Sequence, residues 1–526
     1  MYDILIKNGT IIDGNNEKSF KANIVIKQGK VKKIGHLKNA KARTVINAKG
    51  LYVTPGFVDI HNHSDSYWTL FTIPSLESML RQGVTTIIGG NCGSSLAPLA
   101  RGNIIASIQK WADFNEVNVN WLSMNEFLNV LEKRKIGVNF GTLVGHATLR
   151  RGLIGEEFRK LKSEEMKTMK RMLEDALKEG AFGLSTGLAY SHAKIASIEE
   201  IINLAKVVKK EHGIYTSHIR GEAKELVSAI KETLSIAKKS KISTEISHLK
   251  AMGKKNWPSF SRVIEMIEKA KKQGLNVNFD VYPYTVTGSV LYILLPDWVA
   301  EGGKQMLVKR LKDPTIRIKV IKEMQETQAY EYNKVIIAIS PTDRTFIGKK
   351  ITEIAQTQGV SIEEAIINML IVSEGQVITF FETLSENNVK LALKNPLAFI
   401  GSDGSGYDVD YYRRKKKLVH PRCFGAFPRV LGKYVREEKL MNWEEAIYKM
   451  TGGPAKKIGL KKRGLLKKGN FADITVFNPK TVIDRATFEN PFQYPEGIEY
   501  VIVNGKIAID KGKYTGKMAG RILRKS

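Results

Sequence analysis

What most limits the possible folds is a repeated alternation between short apolar runs and helical stretches through the middle of the chain. Eight runs carry it: GFVDIH, VTTIIGG, VNFGTLVG, AFGLSTGL, IYTSHI, STEISHL, NVNFDVY and LAFIGSD. Strands that alternate with helices form a parallel sheet covered by those helices. One intervening stretch, SEEMKTMKRMLEDALKEG at 163–180, opens on Ser163 as a cap, carries acids in its first turn and stops at Gly180. Eight such units predict an α/β fold of the (β/α)8, TIM-barrel-like kind. A doubly wound open sheet is the rival, but no Gly-x-Gly-x-x-Gly loop follows the first run. The rhythm breaks between about 288 and 334, where mixed helical and proline-containing sequence reads as an insertion covering one face of the barrel.

The two ends have a different texture. Residues 2–53 alternate apolar and polar positions between turn signals, as in DILIKNGTIIDG and ANIVIKQGKVKKIG, which predicts short antiparallel strands. The same texture returns in ADITVFNPKTVI and YVIVNGKIAIDKGKY. Residues 1–54 and 456–526 are therefore expected to share one small sheet domain, bracketing a barrel over 55–455.

Composition narrows the function classes. At 526 residues and 43% hydrophobic content, the chain suits one large barrel with an appendage rather than a fibrous or disordered class. The start, MYDILIKNGTIIDG, lacks a secretory pattern, and no run reaches the length of a membrane span, so a cytoplasmic protein is expected. The two cysteines, Cys92 and Cys423, are too few for a disulfide framework. A net charge of +30 is densest in YYRRKKK at 411–417 and KKIGLKKRGLLKK at 456–468. Lysine is spread along the whole chain, without zinc-finger or RNA-recognition spacing, so no nucleic-acid or membrane partner is expected.

The polar residues that matter are those at the ends of the runs. His61, His63, Cys92, His218, His248 and Asp403 each lie at or just after the C-terminal end of one of them. In a barrel that end is where active sites assemble. His61 and His63 stand two apart, so on extended backbone both imidazoles face one side. Mixed imidazole, thiolate and carboxylate donors suit zinc, and three protein ligands with one open position is the catalytic pattern. Cys92, His218 and His248 make the tight trio. His61, His63 and Asp403 stand opposite, placed for a second, weaker ion or for substrate and proton. Water on zinc ionises near a pKa of about 7, and Asp403 can take its proton and pass it to a leaving nitrogen. His146 is expected to form a structural hydrogen bond, and His36, His192, His212 and His420 have no comparable company.

At these residues the chain resembles the amidohydrolase superfamily, and most closely the D-aminoacylase or N-acyl-D-amino-acid deacylase family. The resemblance runs the full length, through PGFVDIHNHSD, GVTTIIGGNCG, EGAFGLSTGLAYSH, TSHIRGE, EISHLKAMGKKNW, FDVYPYT, IGSDGSG, HPRCFGAFPRVLGKYVRE and GLLKKGNFADITVFNP. It implies a barrel with a β-sandwich built from both ends, hydrolysing an N-acyl-D-amino acid to a carboxylate and a free D-amino acid. It implies zinc on Cys92, His218 and His248, a weaker site at His61 and His63, and Asp403 as acid and base. Many superfamily relatives bridge two metals with a carboxylated lysine on the fourth strand, and GAFGLSTGLAY offers none. The family pattern further points to Tyr190, Lys250, Tyr282 and Tyr284 as substrate-binding residues. A cyclic-amide hydrolase acting on a hydantoin or dihydroorotate, an enzyme for D-amino-acid-containing dipeptides, and a non-catalytic basic scaffold are the alternatives.

Overall fold

The computed structural model describes residues 1–525 apart from 38, 101–117, 156, 328–330, 412, 413, 415 and 416. Most of the basic cluster at 411–417 therefore lies outside the described residues. The fold is mixed α/β. All eight expected runs form strands: β1 Phe57–Asp59, β2 Val84–Gly89, β3 Asn139–Thr142 continued at Val144–Gly145, β4 Gly183–Gly187, β5 Ile214–His218, β6 Ser243–Ile246, β7 Val277–Val281 and β8 Ala398–Ile400.

Each strand pairs in parallel with the next in sequence, from β1 to β8. The order never reverses, so the switch point of a doubly wound sheet is missing. The first and last strands also meet beyond their ends. Asn62 bridges Gly404 in the parallel sense, His63 N–H donates to the Gly404 carbonyl at 2.7 Å, and Asp403 N–H donates to the His61 carbonyl at 2.9 Å. Every residue of β2, β4, β5 and β7 is buried, as expected of parallel strands covered on both faces. Ile60, Ile88, Leu143, Phe182, Ile214 and Phe399 pack into one apolar cluster with Ile458.

Helices lie between successive strands. The one expected at 163–180 spans Ser163–Lys178. Its cap falls one residue earlier than the sequence indicates: Ser163 is already helical, and the Lys162 N–H donates to Glu165 at 2.7 Å. That reach-back from the third helical residue satisfies one of the orphan donors of the first turn.

The two ends form one nine-stranded sheet. Tyr52–Pro55 pairs antiparallel with Ile474–Phe477, joining the N-terminal half to the C-terminal half. Three of its hairpins turn on Gln28-Gly29, Asn504-Gly505 and Lys511-Gly512, all six residues at positive φ. That is the two-residue turn whose twist matches the strands it joins. The last residues leave this sheet. Phe140 N–H donates to Arg521, Leu523 N–H to Phe140 and Lys525 N–H to Gly180, so the C-terminal tail runs beside β3 rather than with the terminal domain.

The stretch expected at 288–334 shares a sheet with later strands. Val286–Val290, Ile378–Glu382 and Val335–Ile339 form a three-stranded antiparallel sheet, with helices Ile351–Gln358 and Ile362–Val372 in its last connection. These elements bury their own apolar cluster, including Leu291, Leu307, Ile337, Ile354 and Phe381. Sequence pattern does not separate the stretch after Lys334 from the parallel strands, because its strand–helix texture resembles that of the main repeat.

Candidate metal centre

The ends of the parallel strands bring the chemical groups together. His61 and His63 follow β1, Cys92 follows β2, His218 ends β5, His248 follows β6 and Asp403 follows β8. Cys92, His248 and Asp403 sit at φ values of 52°, 35° and 48°. Left-handed backbone costs a residue with a Cβ roughly 1–3 kcal/mol, and such strain concentrates at functional sites.

Cys92 Sγ lies 3.4 Å from His248 Nε2 and 3.4 Å from His61 Nε2. His248 Nε2 is 2.9 Å from His218 Nδ1. Asp403 Oδ1 lies 3.1 Å from His63 Nε2 and 3.4 Å from His61 Nε2. Donor atoms of His61, Cys92, His248 and Asp403 all fall within 4.8 Å of one another, as do those of His218, Glu222 and His248. Within the expected trio, Cys92 and His218 each touch His248, but His218 groups with Glu222 and His248, whereas the thiolate groups with His61, His248 and Asp403. The proposed opposite half is divided: His61 touches Cys92 directly, whereas His63 stands further out, against Asp403 and Ser66.

Three further residues hold this cluster, and sequence pattern singles out none of them. Asp280 on β7 accepts from the backbone N–H of His248 at 2.9 Å and faces His61 Nδ1 at 3.1 Å, holding the His248 backbone and the His61 ring. Glu222 pairs with Lys250 at 2.6 Å and lies 3.1 Å from His248 Nδ1. Arg422 places its guanidinium 2.7 Å from Asp403. All three lie inside the sequence blocks FDVYPYT, TSHIRGE and HPRC, but nothing in those blocks sets them apart from other charged residues.

The electrostatics follow from burial of many charges. Burial alone would raise the Cys92 thiol, but the positive charges of His61 and His248 outweigh it and hold the thiol well below its ordinary range. Burial would likewise raise Asp403. Arg422 and His248, with the hydrogen bond from His63, keep it ionised and far below the usual carboxylate range. His248 is pushed up to about 9, because Cys92, Asp403 and Glu222 together overcome burial and the nearby Lys250. A buried thiolate and carboxylates that draw protons onto imidazole are a donor set short of a cation. Soft thiolate with imidazole and carboxylate is the chemistry that zinc takes.

The cluster opens into a cavity of about 660 Å³, lined also by Tyr190, Lys250 and Arg422. The Tyr190 ring lies 4.9 Å from that of His218. Neither Tyr282 nor Tyr284 is among the cavity's lining residues. The Tyr282 ring lies beneath both cations, 4.7 Å from the Arg422 guanidinium carbon and 5.9 Å from Lys250 Nζ. Tyr284 turns away, donating to Asp484 at 3.4 Å under the guanidinium of Arg429. His146 pairs with Glu200 at 2.8 Å, and His420 faces the Val286 carbonyl at 2.9 Å. Both are buried among structural contacts.

Comparison with known proteins agrees over the whole chain. The amidohydrolase family model matches residues 44–509. A D-aminoacylase from Alcaligenes xylosoxydans xylosoxydans is 33% identical over 525 residues, covering 100% of this chain and 98% of the relative. An N-acyl-D-glutamate deacylase from the same organism is 32% identical, covering 99% and 96%. The solved structure of an N-acyl-D-glutamate deacylase from Bordetella bronchiseptica, complexed with zinc and a phosphonate inhibitor that mimics the tetrahedral intermediate, superposes with a TM-score of 0.84 at 31% identity, covering 100% of both chains. By full-length likeness in sequence and in fold, the chain belongs to the amidohydrolase family, within its D-aminoacylase and N-acyl-D-amino-acid deacylase group.

Proposed function

We propose that this chain hydrolyses the amide bond of N-acyl-D-amino acids to a carboxylate and a free D-amino acid, using zinc held by Cys92, His218 and His248. The observation that carries the reading is the convergence of the donors of His61, Cys92, His248 and Asp403 within 4.8 Å, with His218 2.9 Å from His248, beside a cavity that Cys92, His218, His248 and Asp403 line. His61, His63 and Asp403 would hold a second, weaker ion, since His61 and Asp403 face the same thiolate. When bound, zinc supplies Lewis-acid polarisation of the scissile carbonyl and activation of water.

The chain's own groups do the rest. Asp403, kept ionised, accepts the proton of the attacking water and delivers it to the amide nitrogen as the C–N bond breaks. Lys250 and Arg422 are two buried cations facing the cavity, suited to the substrate's α-carboxylate. A carboxylate that draws Arg422 away from Asp403 also removes the charge that most depresses its proton affinity, so binding prepares the base. The Tyr282 ring supports both cations from below, and Tyr190 forms a wall beside His218. Zinc analysis of the purified protein, with a panel of N-acyl-D- and L-amino acids, tests the reading. Zinc-loaded protein that hydrolyses no N-acyl-D-amino acid would overturn it.

The supporting architecture is a (β/α)8 barrel over about 55–455, with a β-sandwich from 1–54 and the C-terminal strands. The unreversed strand order, the Asn62–Gly404 bridge and the apolar cluster shared by residues at β1, β2, β3, β4, β5 and β8 support closure. The insertion is best bounded at about 286–382. Substrates are small molecules. No helix among the described residues is long and apolar enough to cross a membrane, and with two free cysteines this supports a cytoplasmic site of action.

A further inference from the structure

Likeness does not choose the side chain of the substrate: identity is 33% to a D-aminoacylase and 32% to an N-acyl-D-glutamate deacylase. The cavity's charges do. Four cations line it: Lys194, Arg220, Lys250 and Arg422. Lys250 and Arg422 stand beside the metal ligands and are the pair suited to the α-carboxylate. All four are ion-paired, Lys250 with Glu222 at 2.6 Å and Arg422 with Asp403 at 2.7 Å, so an α-carboxylate must compete for the first pair of cations and nothing is left over in the second. Arg220 grips Glu232 through Nε at 2.9 Å and Nη2 at 2.8 Å, and donates two further bonds, to the carbonyls of Lys194 at 2.6 Å and Ala196 at 3.0 Å. Lys194 is paired with Asp297 of the insertion. A further carboxylate, Glu225, also lines the cavity, and it pairs with Lys224 at 3.5 Å, whose side chain is 87% exposed. The remaining walls include Ala189, Ala223, Met252, Val290, Tyr292 and Ile293.

From this set of charges we infer that the enzyme takes N-acyl-D-amino acids with uncharged, largely apolar side chains and rejects acidic ones, and that the Arg220–Glu232 pair is a determinant of that choice. The inference rests on the deacylase reading above. A second carboxylate on the substrate would enter a partly desolvated cavity where every remaining cation has a carboxylate of its own. It would meet the field of Glu225 and give up hydration without gaining a partner. Glu232 acts here by occupying Arg220 and is not a catalytic residue.

The test measures kcat/KM of the zinc-loaded, full-length protein for N-acetyl-D-methionine, N-acetyl-D-glutamate and N-acetyl-D-aspartate. The methionine compound is expected to lead both acidic ones by about 100-fold, the scale on which a pocket rejects a side chain it cannot pair. In Glu232→Gln, Arg220 keeps its carbonyl tethers but loses its neutralising partner, and the methionine-to-glutamate ratio should narrow about tenfold. Ser289→Lys adds an unmatched cation from a half-buried position on the cavity wall and should narrow the same ratio, which covers the case where the first variant does not fold. An acidic substrate turned over as fast as the methionine compound overturns the inference while leaving the deacylase reading intact, as does a ratio unmoved in the folded variants. Failure to hydrolyse any of the three would overturn the deacylase reading and this inference with it.

Discussion

The cluster at the strand ends and the sheet shared by the termini both use left-handed backbone, but on different residues and to different effect. In the sheet it falls at hairpin turns such as Asn504-Gly505 and Lys511-Gly512, where the turn requires it and glycine takes half of it without strain. In the cluster it falls on Cys92, His248 and Asp403, whose side chains are the proposed functional groups, so no glycine can relieve it. The sheet also buries apolar side chains such as Ile24, Val53 and Ile502, whereas the cluster buries thiolate, carboxylates, imidazoles and two cations. One region is built near its local optimum. The other is held away from it by the surrounding strands, and a bound ion would supply the missing charge.

The largest effect should come from Cys92→Ala, which removes the thiolate that both imidazoles face. Loss of tightly bound zinc by metal analysis and loss of measurable turnover are expected, and full zinc retention would break the proposed ligand set. In the wild-type protein, zinc must displace the proton that His248 holds up to about pH 9. Apparent zinc affinity should therefore rise as pH climbs towards 9 and weaken below it, a trend measurable by competition with a chelator. Next, Asp403→Asn should lower kcat on N-acetyl-D-methionine by about 10³-fold while zinc stays bound. His61→Ala should keep one zinc and lose most activity; loss of all metal would contradict the division into a tight trio and a weaker site.

Substitutions in the terminal sheet should move stability instead. Ile502→Ala opens a cavity in the sheet core and should cost about 3 kcal/mol in denaturant unfolding, with kcat/KM of the folded protein unchanged. The smallest effect is expected from Gly512→Ala, at φ 74°, where a new Cβ would meet only the Ile498 carbonyl at 3.8 Å. The strain of left-handed backbone alone should then cost about 1 kcal/mol. A change in substrate turnover from either sheet variant would mean that the two regions are coupled.

Much of the candidate site is legible in the sequence, because side chains able to bind metal stand out by residue type and position at the ends of apolar runs. Cys92, His218, His248, His61 and Asp403 are all readable in that way. Lys250 and Tyr190 are indicated only by family likeness, and they do line the cavity. Glu222, Asp280 and Arg422 are not readable, since each is a common charged residue whose meaning depends on what it touches. Tyr284 shows the reverse: its block places it beside Tyr282, but the chain turns its hydroxyl to Asp484, 200 residues away.

The sequence by itself determined the eight parallel strands, the sheet texture of both ends and the candidate imidazole, thiol and Asp403 groups at the strand ends, because periodicity and residue chemistry are local properties. Only the tertiary structure decided which donors lie within reach of one another, that Val335–Ile339 and Ile378–Glu382 share a sheet with Val286–Val290, and that Arg220 pairs with Glu232. Those outcomes depend on pairings between residues far apart in the chain. His63 and Asp403, separated by 340 positions, meet because β8 returns to the edge of β1.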